Sequence, residues 1–253
     1  MLLFEQLVRS IDLNCDMGEG CPNDAELMNY VSSVNIACGY HAGDTETMKQ
    51  TVNAALVKQL AIGAHPGFPD RNNFGRTPMS LPLETLYDIV SEQIELLQQV
   101  CRSSGTRLHH VKPHGSLYNQ AARKTEIAAV IARAVHDRDP RLVLYGLSGS
   151  VSISEAEKYG LATASEAFAD RTYQPDGSLT PRTDPNALIS DSAIASAQAL
   201  SMEATGTVTA VNGSIVRVRA DTICIHGDGE HAVEFARAIS TGLRERGIQI
   251  QSI

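Results

Sequence analysis

Tryptophan is absent from the 253-residue chain and aromatic residues make up only 5% of it. Its core must therefore be packed by Ala, Val, Ile and Leu, as is common in α/β proteins. No apolar run approaches the roughly 18 to 20 residues of a membrane-spanning helix. The opening MLLFEQLVRS has neither a basic start nor a small-residue cleavage site, so it does not read as a secretory signal. Cationic excess is also missing. The 21 Lys and Arg stand against 29 Asp and Glu, giving a net charge of −8, which argues against nucleic acid or an anionic membrane as partner. The five cysteines are odd in number and lack CxxC spacing, so they read as free thiols in a reduced, cytoplasmic, soluble protein. Neither a GxxxxGK[ST] phosphate loop nor an HExxH zinc motif occurs.

Strand-like and helix-like segments alternate from end to end, the pattern of a parallel α/β architecture. The chain length suits one (β/α) barrel, and nothing resembles a linker, so residues 1–253 are expected to form a single domain. Seven strands with helical crossovers point to a TIM-like barrel. Asp44 and Thr45 offer a cap to the helix after the second strand. Ser80 and Pro82 open a long helix that Gly105 ends. A further helix is expected over about residues 185–202. GTVTAV and SIVRVR flank Asn212-Gly213, a strong signal for a β-hairpin excursion near 207–219. The terminal GIQIQSI fits either an eighth strand or an outer edge.

Five segments run a few apolar residues straight into acids, histidines, lysine and glycine: IDLNCDMGEG (11–20), VNIACGYHAGD (34–44), AIGAHPGFPD (61–70), HHVKPHGSLYN (109–119) and TICIHGDGE (222–230). Strands that end in such clusters build active sites at the carboxyl edge of a sheet. Alternate residues share a strand face. Asp12, Asn14 and Asp16 therefore form one stripe, His110, Lys112 and His114 another, and Cys224, His226 and Asp228 a third. A lone Asn14 or His110 reads equally well as a hydrogen-bonded core residue; the convergence of five segments carries the inference.

These segments, together with FGR after GAHPGFPD, FADRTY (168–173) and PR (181–182), resemble in sequence and order the LamB/YcsF family, the A component of bacterial ATP-dependent 5-oxoprolinase. The likeness spans residues 11 to 229. It implies a distorted seven-stranded (β/α) barrel of the glycoside hydrolase and deacetylase type. It also implies ATP-dependent opening of 5-oxo-L-proline to L-glutamate together with subunits B and C. Two departures stand out. Asn73 stands where the family usually has glycine, and Thr77 where it usually has a second arginine.

Opening a five-membered lactam through a phosphorylated amide needs cations or N–H groups for phosphoryl oxygens, a base for water and a divalent ion. Asp16 is expected as base, with His41, His65 and His114 as further proton-handling or orienting groups and Lys112 as oxyanion partner. Asp12, Asn14, Glu19, Asp44, His226 and Asp228 are expected to orient these groups or hold substrate. Arg76, Arg171 and Arg182 are the candidate anion contacts. Without a compact His-x-His or HExxH ligand set no metal residues are assigned. Mg²⁺ accompanying ATP is the expected ion, and a divalent metal at the barrel mouth stays open as an alternative. A stand-alone metal-dependent amide hydrolase or deacetylase, and a non-catalytic 5-oxoproline-binding subunit, are the rival readings.

Overall fold

A computed structural model describes residues 9–227, 229 and 231–253. The chain begins with strand β1 (Ser10–Met17), a short helix α1 (Asp24–Leu27), β2 (Ser33–Ala37), α2 (Thr45–Val57) and β3 (Ala61–His65). There follow α3 (Leu83–Ser103), a two-residue β4 (His110–Val111), α4 (Gly115–Ala121), α5 (Thr125–Arg138) and β5 (Val143–Leu147). α6 (Val151–Lys158), β6 (Ala162–Phe168), α7 (Ser192–Thr205), β7 (Thr207–Thr209) and β8 (Ile215–Arg217) come next. β9 (Thr222–Ile225), α8 (Ala232–Glu245) and β10 (Gln249–Ile250) complete the chain.

Strands β1 to β6 and β9 pair in parallel and close on themselves, because β9 joins both β6 and β1. The barrel is seven-stranded and TIM-like, as the alternating pattern predicts. β7 and β8 form the expected antiparallel hairpin outside it, turning at Gly213 with φ of +84°. The terminal segment is an outer edge: among the described residues β10 pairs only with Ser10 and Ile11 at the start of β1. Between strands and helices runs one apolar cluster, in which Leu13, Val34, Ile36, Val52, Val90, Ile94, Leu97, Val111, Ile223 and Ile239 are buried.

The parity of β1 explains the arrangement. Its odd residues, Ile11, Leu13 and Cys15, join that outer core, which leaves Asp12, Asn14 and Asp16 facing the barrel axis. The axis is consequently polar. Asp12 accepts hydrogen bonds from Ser32 (2.7 Å), Ser33 (2.6 Å), Thr222 (2.6 Å) and Tyr145 (3.0 Å). Above it, Asn14 donates to Glu166 (3.0 Å) and Thr222 (2.7 Å) and accepts from Asn35 (2.8 Å). Asn35 accepts in turn from His110 Nε2 at 2.8 Å, and His110 stacks on Tyr145 with centroids 4.1 Å apart. Every polar group in such a column needs a partner, since an unpaired one costs about 1–3 kcal/mol.

The helix expected over 185–202 begins later, at Ser192, where the Asp191 carboxylate accepts from Ala193 N and Ile194 N. The residues before it are drawn into a long loop, 169–191, fastened by bridges between Arg171 and Leu188 and between Tyr173 and Leu179. The Gln198 amide pins its start by donating to the carbonyls of Phe168, Ala169 and Arg171. No helix among the described residues is long and apolar enough to cross a membrane.

Candidate active site

The loop 169–191 and the carboxyl ends of the barrel strands enclose a cavity of about 660 Å³. Asp16, Glu19, His65, Lys112, His114, Arg76, Arg171, Arg182 and His226 all line it. His41 lies against its wall, with its ring stacked on His114 at 3.8 Å between centroids. The groups that the sequence scatters over more than two hundred positions thus meet at one rim.

Lys112 stands at the cavity floor, almost wholly buried. Its Nζ lies 2.7 Å from Glu166 Oε1 and 3.0 Å from Asp16 Oδ1, and donates also to Asn14 Oδ1 (3.1 Å) and Cys224 Sγ (3.1 Å). Burial opposes its charge, but Asp16, Cys224 and Glu166 outweigh burial and push its pKa well above the ordinary lysine value. Burial likewise opposes ionisation of Asp16, yet His65 and Lys112 hold its carboxyl well below the usual carboxylate range. A charged pair therefore persists in the floor at neutral pH.

Beside this pair sit Glu19, His41, His65 and His114, whose ligand atoms all lie within 4.8 Å of one another. Glu19 Oε1 is 3.0 Å from His41 Nε2, 3.3 Å from His114 Nδ1 and 3.7 Å from His65 Nε2. The backbone sets two of the rings. His65 Nδ1 lies 2.7 Å from the Lys112 carbonyl and His114 Nε2 lies 2.8 Å from the Phe74 carbonyl, so each must donate there. The nitrogens left over, His65 Nε2 and His114 Nδ1, face each other at 2.9 Å. Two lone pairs cannot meet at that distance without a cation between them.

That cation is either a proton or a metal ion. In the proton form the charge belongs to His65. Burial alone would depress its pKa, but Asp16 and Glu19 raise it, whereas burial and the neighbouring His65 charge lower His41 and His114 to about 2. A metal ion would take the same place. Three imidazoles and one carboxylate form a donor set suited to zinc and similar transition ions, and carbonyl acceptors behind ligating histidines are the usual supporting arrangement. The residues present fit such an ion. No HExxH spacing announces the group because its members come from four separate strand ends.

Several expected site residues lie elsewhere. Asp44 is exposed and caps α2, its Oδ1 accepting from Thr47 N at 2.8 Å. Asp12 is sealed at the other end of the barrel axis by four hydroxyls, and burial raises its pKa. Asn14 belongs to the column below the floor. Arg171 lines the cavity, but its Nη2 and Nε donate to the Thr180 (2.6 Å) and Ala187 (3.2 Å) carbonyls and so hold the loop. Arg76 stacks over Phe74 at 5.0 Å. Arg182 reaches His226 Nε2 at 2.8 Å. Asp228 falls outside the described residues. Glu166 and Asp170 went unassigned in the sequence. Glu166 shares its strand face with Ala164 and Phe168, an isolated acid on an otherwise apolar inward stripe, and that was the available signal.

The fold is that of a deacetylase-type barrel. The chain superimposes on a T48 deacetylase with substrate, with a TM-score of 0.53 at 14% identity, covering 97% of this chain and 88% of that one. Within that class its sequence is specific: the LamB/YcsF family model matches residues 11–253, and the chain belongs to the LamB/YcsF family. It is similar to a lactam utilization protein from Thermus thermophilus, with 42% identity and a TM-score of 0.91 over 96% of this chain and all of that one.

Proposed function

We propose that this protein hydrolyses the ring amide of 5-oxo-L-proline to give L-glutamate, acting as the A component with subunits B and C and with ATP and Mg²⁺. One observation carries the reading: a buried carboxylate–ammonium pair and a Glu–His₃ group share the rim of one cavity. Family membership and the likeness to a lactam utilization protein support a lactam as substrate.

In this reading Asp16, kept ionised by Lys112 and by the cation held at His65, is the base that takes a proton from the attacking water. Lys112 directs its field at the oxygen where negative charge develops. Arg76 and Arg182 face the anionic groups of substrate or phosphate. His41, His65, His114 and Glu19 would hold a metal ion, which when bound polarises a carbonyl and acidifies water. The chain carries no GxxxxGK[ST] phosphate loop, so the nucleotide binds either by another route or at a site shared with a partner subunit.

The Glu–His₃ group also favours a second reading, a stand-alone metal-dependent amide hydrolase. Measuring glutamate released from 5-oxoproline, with ATP and the partner subunits added one at a time, separates the two. Glutamate formed only with this chain, its partners and ATP supports the first reading. Amide hydrolysis by the metal-loaded chain alone, indifferent to ATP, supports the second. No glutamate from the full mixture refutes the first.

A further inference from the structure

Across the cavity from the Glu–His₃ group, His226 forms a second hydrogen-bonded chain. It follows the end of β9, and Asp170 stands just past the end of β6. Asp170 Oδ2 lies 2.7 Å from His226 Nδ1, and Arg182 Nη2 lies 2.8 Å from His226 Nε2. A guanidinium only donates, so Nε2 accepts and the ring proton must sit on Nδ1, facing Asp170. One tautomer is thereby fixed from both sides. The ring stacks on Phe168 with centroids 5.5 Å apart, and the Lys112 ammonium lies 5.8 Å from the centroid of that same ring. His226 and the Asp16–Lys112 floor thus border one space. Among the described residues the charged groups around the imidazole are Asp170, Arg171 and Arg182 from the loop, Asp16 from β1, and Lys112 beyond Phe168.

We propose that His226 is a catalytic residue that protonates the leaving nitrogen when the amide opens, that Asp170 is its positioning residue, and that Arg182 leaves Nε2 to bind the anionic group of the substrate. This rests on the amide-hydrolysis reading above. With Arg182 at Nε2 the ring cannot carry a second proton. Drawn away by a substrate carboxylate, the arginine frees Nε2 to take a proton from solvent, and Asp170 stabilises the resulting imidazolium. The water oxygen bonds to the carbonyl carbon and its proton passes to Asp16. The C–N bond breaks with its electron pair on nitrogen, which takes the Nε2 proton. Asp16 then returns its proton to solvent, leaving the carboxyl group and the free amine; where ATP has first phosphorylated the amide oxygen, C–N cleavage leaves an acyl phosphate and a second water releases inorganic phosphate from it.

Two measurements test this. Nitrogen NMR of the His226 ring in the full chain should show the Nδ1–H tautomer, its loss in Asp170→Ala, and a shift of Nε2 when 5-oxoproline is added. In the reconstituted system His226→Gln should lower kcat by about 10²- to 10⁴-fold with little change in KM, whereas Arg182→Ala should mainly raise KM. Wild-type kcat in a folded His226→Gln variant, or an Nε2–H tautomer, would overturn the proposal. If the wild type itself opens no 5-oxoproline, the functional reading fails separately. The NMR then decides: a His226 ring that ignores 5-oxoproline overturns the proposal, and a shifted one supports it.

Discussion

Replacing Lys112 by Met tests the charged floor of the cavity without reference to any substrate. The ammonium is 3% exposed and Glu166 is fully buried at 2.7 Å, so solvent screens this pair very little. The Asp16 carboxylate at 3.0 Å adds a second partner. Methionine is close in volume but takes the cation from Glu166 and leaves Asp16 with His65 alone, and breaking a buried pair from one side costs about 3–5 kcal/mol. At about 2–4 °C per kcal/mol for a domain of this size, the melting temperature should fall by roughly 6–20 °C. Adding Glu166→Gln to Lys112→Met removes one stranded charge and should recover part of that loss, with a coupling energy in the range of about 0.5–3 kcal/mol. Calorimetric melts of the four proteins of this cycle at neutral pH supply the numbers. A Lys112→Met variant that melts within about 2 °C of wild type would refute the reasoning.

Asp44→Ala should lose about 1 kcal/mol from the uncapped α2 while leaving turnover unchanged, a separation that melts and the glutamate assay read together. A Cβ at Gly63 would fall inside the His110 imidazole that hydrogen-bonds Asn35, so Gly63→Ala should destabilise by about 1–3 kcal/mol; an unchanged melt contradicts that packing. Stripped of metal, the chain should bind one zinc ion in calorimetric titration. Glu19→Gln or His114→Ala should weaken that binding at least about tenfold.

The parity of β1 made much of this legible: Asp12, Asn14 and Asp16 had to share a face, and the carboxyl ends of five strands had to meet once a parallel barrel was inferred. Parity does not give depth along the barrel axis. Asp12 and Asp16 look equivalent in sequence, yet one is sealed by Ser32, Ser33, Thr222 and Tyr145 while the other reaches the cavity. Asp44 misled because an acid after a strand-end glycine serves a helix cap as readily as a site. The start of α7 was displaced because Ala187 and Leu188 carry helical propensity but are held by Arg171 instead. Glu19, His41, His65 and His114 form a ligand group only through the parallel pairing of the four neighbouring strands β1 to β4, and no local spacing encodes that.

Glutamate release from 5-oxoproline by the reconstituted A, B and C components, with this chain supplied as wild type, Asp16→Asn or Glu19→Gln, is the most direct test of the rim as the catalytic centre. The wild-type chain should support turnover, and each variant, once shown to be folded at the assay temperature, should lose at least about 10²-fold. Wild-type rates from both variants would contradict the assignment of this cavity.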